Sequence, residues 1–273
     1  MARWRITGVL AGLALIAACG ESARDNAPPP DTVVSPVGSA QALSGDRFVL
    51  PLEGTRQEVR LAGVAAPRRE PSAALAREAL QNLLDEAGSG LVLEPAGPGR
   101  NRHGTLIAEA ISPAGRLQDQ LISQGWVMVD SHGDHTGPTP DRLQREERAR
   151  NAGLGAWAHH DLRVHTPDPN ALAPFLDSVQ IVEGRVISTG SARDGRIYLN
   201  FGTDWRTDFT VQVRRRDQRR FEAAGMDLSG LEGAVVRVRG WLYEENGPII
   251  TLDHAEALEI VDAPQAAPLP GRP

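Results

Sequence analysis

Lysine is absent from this chain of 273 residues, so all 29 of its basic side chains are arginine. Arginine offers a rigid fork of donors that matches phosphate and carboxylate oxygens. Those cations are outnumbered by 35 acidic groups, for a formal charge of -6. Net charge therefore does not mark the whole chain as a nucleic-acid binder. Cysteine is nearly absent too, and the single residue, Cys19, excludes an intrachain disulfide. No comfortable transmembrane helix is expected at the amino end, where the apolar run Ile6 to Ala18 falls short of the roughly 20 residues that cross a bilayer.

What that end does contain is a targeting pattern. Arg3 and Arg5 form a positive region ahead of the apolar run. The run closes in Ile16-Ala17-Ala18-Cys19-Gly20, which resembles the bacterial lipoprotein box. The resemblance implies lipidation of Cys19, removal of residues 1–19 as a signal peptide, and anchoring at a membrane of the cell envelope. An ordinary signal peptide with an incidental cysteine is the alternative, and it also exports the chain. Residues 20–40 are rich in Pro, Ser, Ala, Asp and Asn around Pro28-Pro29-Pro30, the composition of a flexible tether.

Apolar periodicity divides the remainder into two folded units, 41–159 and 175–262, with a proline-containing linker at 160–174 and a disordered tail at 263–273. In the first unit, strands are expected over Phe48–Leu52, Glu58–Val64, Leu91–Glu94, Thr105–Ile111 and Trp126–Val129, with Pro95 to Gly104 as a loop. A helix follows Pro71-Ser72, with Leu75, Ala79, Leu80, Leu83 and Leu84 on one face. Further helices are expected over Leu117–Gln124 and Asp141–Asn151. In the second unit, strands are expected over Val179–Val186, Arg196–Phe201, Phe209–Val213, Val235–Tyr243, Ile249–Leu252 and Ala257–Val261. A helix is expected over Arg214–Met226, and Asn246-Gly247 is a strong hairpin turn.

The stretch Glu58 to Pro71 places a charged Arg60 inside an apolar strand that ends in a proline turn. It resembles the signature of the staphylococcal-nuclease-like (thermonuclease) family. So do Gly45-Asp46, Asn101-Arg102-His103-Gly104-Thr105, Leu121 to Val129, and Gly153-Leu-Gly-Ala-Trp157, in the right order across the first unit. The resemblance implies a small β-barrel with flanking helices. It also implies a site in which carboxylates hold calcium, a glutamate acts as base and two arginines neutralise phosphate. Asp46 retains one metal ligand and Arg60 one phosphate contact. Ala65 stands at the second metal ligand, Arg68 at the base and Thr105 at the second arginine; His103, Ser131 and Gly133 stand where stacking tyrosines belong. A lone carboxylate beside Arg68 makes calcium a doubtful cofactor. Glu70 is either a displaced base or a carboxylate at the helix start. Asp46 is either a ligand or a turn residue, and Arg60 either binds phosphate or pairs with Asp46. The loop His132-Gly-Asp134-His135 reads as exposed histidines, without a recognised metal spacing.

The strand and helix order of the second unit is that of an OB-fold barrel, and Ile197 to Gly202 with Gly240-Trp241-Leu242 resemble the OB-like domain appended to bacterial thermonuclease homologues. Arg193 to Arg220 holds eight arginines and four aspartates, with Tyr198, Phe201, Trp205 and Phe209 among them. Cations that track a backbone and aromatic faces that stack on bases are what single-stranded nucleic acid requires. Phe201 and Phe209 read as core. Tyr198, Trp205 and Arg206, with Arg102 from the first unit, are the candidate nucleic-acid contacts.

The expected fold class is mainly β with helices: two small OB-like β-barrels, the first of staphylococcal-nuclease-like type. The expected function is an exported, non-catalytic member of that family that binds nucleic acid or another phosphodiester at the cell envelope. The alternatives are an active calcium-dependent nuclease with rearranged ligands, and an envelope adaptor that makes protein contacts.

Overall fold

The computed structural model describes residues 39–52 and 54–263. The signal segment with Cys19, residues 20–38 of the expected tether and residues 264–273 of the expected tail lie outside them. The described chain is mainly β with interspersed helices.

In the first unit, β1 (Gln41–Ser44), β2 (Arg47–Leu52) and β3 (Thr55–Leu61) form a meander. The short β4 (Val64–Ala65) leads into helix α1 (Ser72–Ala87). Next come β5 (Val92–Arg100), β6 (Leu106–Ser112), β7 (Gly115–Arg116), α2 (Leu117–Ser123), β8 (Met128–Val129) and α3 (Thr139–Asn151). The sheet order is β1-β2-β3-β6-β5, with β3 and β6 parallel and β4 pairing separately with β8. Alternation along β2 sends Phe48 and Leu50 inward, where they meet Val59, Leu61, Leu93 and the Leu80–Leu84 face of α1. Gly45 lets the β1–β2 turn lie against that helix, because a Cβ there would sit 2.6 Å from the Cβ of Ala76.

The loop expected at Pro95 to Gly104 is instead mostly strand. β5 runs on to Arg100, with a register shift between Pro95 and Arg100. It lies at the end of the sheet path, where a proline need not donate to a neighbour.

The second unit contains β10 (Ser178–Arg185), β11 (Ser188–Ser191), β12 (Ile197–Asn200), β13 (Thr210–Val213), helix α5 (Gln218–Ala223), β14 (Val235–Glu244), β15 (Pro248–Leu252) and β16 (Leu258–Asp262). Its order is β11-β12-β13-β15-β14-β10, followed by β9 (Val164–His165), with β16 also on β14 and with β13 parallel to β15. Strand β9 (Val164–His165) and the short helix α4 (Pro169–Leu172) come from the segment expected as a linker; β9 pairs with β10. Helix α5 is shorter than the expected Arg214–Met226. The Asp217 N–H closes a turn on the Arg214 carbonyl, so Arg214 to Arg216 precede the helix, with Arg219 and Arg220 inside it.

The two units share a third core. Ala65, Met128, Ala149 and Trp157 of the first pack with Leu162, Val179 and Ile181. Beside it, the buried Arg239 of β14 pairs with the buried Glu146 of α3 at 3.0 Å and with Glu259 of β16 at 2.7 Å.

Candidate functional site

The proline turn after β4 opens onto the junction of the two units. A cleft of about 580 Å³ lies there, walled on one side by Asp46, Arg60, Ala65 and Arg68 and on the other by Arg214 and Trp241. The expected remnant of a hydrolytic site therefore faces the second unit.

Its residues are committed elsewhere. Asp46 accepts a hydrogen bond from the Ser44 hydroxyl at 2.6 Å, as a turn aspartate does. Arg60 pairs with Asp130 at 2.9 Å, not with Asp46; Asp130 is the better-buried partner, with 7% side-chain exposure. Ala65 is buried and paired with Met128 in the β4–β8 ladder. Arg68 donates to the Asp177 carbonyl at 2.7 Å and lies over Trp241 at 5.1 Å. Glu70 accepts from the Ala74 N–H at 3.1 Å, which makes it a carboxylate at the start of α1. Thr105 is buried at the foot of β6. Among the described residues no cluster of three or more acidic, histidine or cysteine groups is placed to hold a metal ion. Asp46 and Asp130 both line the cleft, but Asp46 is bonded to Ser44 and Asp130 is neutralised by Arg60, which does not fit the oxygen-rich shell of calcium.

Of the loop histidines, His132 is exposed, as expected, but His135 is half-buried. His135 meets Glu109 at 2.7 Å, and Glu109 also takes the buried Arg142 at 2.5 Å. Burial works against ionisation of Glu109, but its hydrogen bonds to His135 and Arg142 outweigh that and hold its pKa below the ordinary value. His132 approaches Asp130 at 3.6 Å, and that carboxylate raises its pKa.

A second concavity, of about 460 Å³, lies on the second sheet. Its floor is Tyr198 and Asn200 of β12 with Thr210 of β13; its rim is Trp205 and the Glu245-Asn246 turn. Trp205 is 54% exposed, with the Arg206 guanidinium stacked 4.5 Å from its ring centroid. Arg196 lies 5.7 Å from the Tyr198 ring and is held by Asp194 at 2.7 Å. The Thr210 hydroxyl is buried without a hydrogen-bond partner among the described residues. Asn246 and Gly247 both have positive φ, as the hairpin turn requires. A Cβ on Gly247 would lie 2.6 Å from the Thr207 carbonyl oxygen, so glycine lets this turn close on the loop that carries Trp205. Phe201 and Phe209 are buried, with ring centroids 5.0 Å apart.

Tyr198, Trp205 and Arg206 are thus brought together. Arg102 is not: it is exposed on the β5–β6 turn, bonded to His103 at 3.0 Å, and lines neither cleft. Sequence reasoning missed His254, which is buried in the junction and bonded to Ser131 at 2.7 Å across 123 positions. No local pattern signals that pairing. No known family model matches the chain, and no curated protein sequence matches it.

Proposed function

We propose that this is an exported, lipid-anchored protein of two barrels, staphylococcal-nuclease-like and OB-like, that binds single-stranded nucleic acid at the cell envelope without cutting it. The observation that carries the reading is the groove on the second sheet. It offers one exposed indole backed by a guanidinium, and one tyrosine ring. Aromatic faces stack on any base, and the guanidinium beside the indole adds a cation for the backbone.

The strand order supports the barrel. β11 ends the path of the second sheet and β10 stands next to last at the other side, before the two-residue β9; only Val186 and Ile187 separate β10 from β11, so one bent stretch of chain reaches both sides. A parallel β13–β15 pair and a helix after β13 accompany it. In an OB-fold, the loops after the first and fourth strands border the ligand face. Here the β11–β12 and β14–β15 turns border the groove. The loss of oxygen donors at Ala65 and Arg68 supports the non-catalytic half of the reading, since hydrolysis by the family route needs both a metal and a base.

The test is fluorescence anisotropy of a labelled oligothymidylate with the mature chain, across a salt series. Binding is expected to weaken linearly in log-log form as salt rises. Trp205→Ala is expected to weaken it about ten- to hundredfold, since stacking contributes about 1–3 kcal/mol per base. Undetectable binding, or binding indifferent to Trp205, overturns the reading. Calcium-dependent digestion of the same oligonucleotide would establish the nuclease alternative instead.

A further inference from the structure

The junction cleft contains a set of groups that binding of nucleic acid in the other groove does not use. Ser131, just after β8, presents its hydroxyl to Nε2 of His254 at 2.7 Å. Nδ1 of the same ring meets the Asp253 carboxylate at 2.6 Å. All three residues line the cleft. The hydrogen bond to His254 lowers the pKa of Asp253, so this carboxylate is ionised at neutral pH and can only accept. With the neutral ring that a general base requires, the proton sits on Nδ1 and Nε2 is left as an acceptor for the Ser131 hydroxyl. Donor order, ring tautomer and distances are those of a serine nucleophile with its base and the orienter of that base.

We propose that Ser131 is the nucleophile of an acyl-transfer site built across the two units, with His254 as general base and Asp253 as its positioning residue, acting on carboxylic esters that carry an anionic group. Ser131 Oγ bonds to the ester carbonyl carbon and passes its proton to His254 Nε2. The bond to the leaving oxygen breaks, and that oxygen takes the proton from His254. Water then attacks the acyl-serine and gives a proton to His254, which returns it to Ser131 as the acid departs. Arg60 lines the same cleft and spends its Nη2 on Asp130, the residue beside Ser131; its remaining N–H groups are the donors the proposal assigns to the developing oxyanion. Arg68 and Arg214, also on the cleft wall, supply the preference for an anionic substrate. Asp253 is 47% exposed, so water weakens its hold on the ring. Its removal should cost less than removal of His254.

The experiment treats the full mature chain with diisopropyl fluorophosphate and maps the adduct by mass spectrometry. A single adduct on Ser131 is expected, absent in Ser131→Ala and slowed about a hundredfold in His254→Gln, the usual scale for loss of a positioned base. Asp253→Asn, an exposed change that leaves the core intact, is expected to label about tenfold more slowly, within the range of a lost charge-assisted hydrogen bond. A bond that merely clasps the two units yields no adduct. That result, or equal labelling rates in wild type and Asp253→Asn, overturns the proposal. Mono-4-nitrophenyl succinate should be hydrolysed with at least about tenfold higher kcat/KM than 4-nitrophenyl butyrate, the effect of one ion pair worth ~1.4 kcal/mol. Equal or reversed preference overturns the assignment of an anionic substrate.

Discussion

Asp130 shows how much one buried carboxylate can organise. It accepts Arg60 at 2.9 Å and lies 3.6 Å from His132, so two cationic groups lean on one anion. That carboxylate raises the pKa of His132, which means the folded state binds the His132 proton more tightly than the unfolded chain does. The contribution is fully present below the unfolded value of about 6.5 and is lost as pH rises through the higher folded value. His132→Gln should therefore destabilise the protein at pH 5 and leave it nearly unchanged at pH 9. Urea denaturation at both pH values checks this, and a larger loss at pH 9 would refute the pairing. Arg68 teaches a related lesson. Its sequence position suggested only the loss of a base, but its guanidinium joins the first unit to the second through the Asp177 carbonyl and the Trp241 ring.

At the scale of elements, α3 meets β14 through an ion pair that water scarcely reaches: Arg239 is 2% and Glu146 1% exposed. Removing one partner leaves the other charge buried and unpaired. Glu146→Ala should accordingly cost about 3–5 kcal/mol, whereas Arg239→Met with Glu146→Leu should cost much less than the two single changes summed. Chemical denaturation of the three variants measures the difference. Local signals made most elements legible. The leucines of α1 keep helical spacing, and Asn246-Gly247 announces its hairpin. The extension of β5 through Pro95 to Arg100 was not legible, because prolines and glycines speak against a strand unless it lies at an edge. Strand β9 was hidden for a different reason: two residues carry no periodicity, and only pairing with β10 makes them a strand.

At the scale of the molecule, the shared core predicts coupling. Ile181 is fully buried among residues of both units. Ile181→Ala should cost about 2–5 kcal/mol and loosen the junction cleft, with the distant Trp205 groove unaffected in oligonucleotide binding. The wild type should unfold in one calorimetric transition whose van't Hoff and calorimetric enthalpies agree. Two resolved transitions would show that the cluster does not bind the units together.

Sequence alone determined what is local: the all-arginine cation set, the pattern at the amino end, the helices and hairpins, and the aromatic and basic clustering around Tyr198 and Trp205. These follow from composition and short-range periodicity, which act between near neighbours in the chain. Tertiary structure decided which of those groups share a surface. It gave Arg60 to Asp130, turned Arg214 into the junction cleft, left Arg102 apart, and set His254 against Ser131. Contacts of that kind join residues far apart in the chain, and only the packing of the two units selects them.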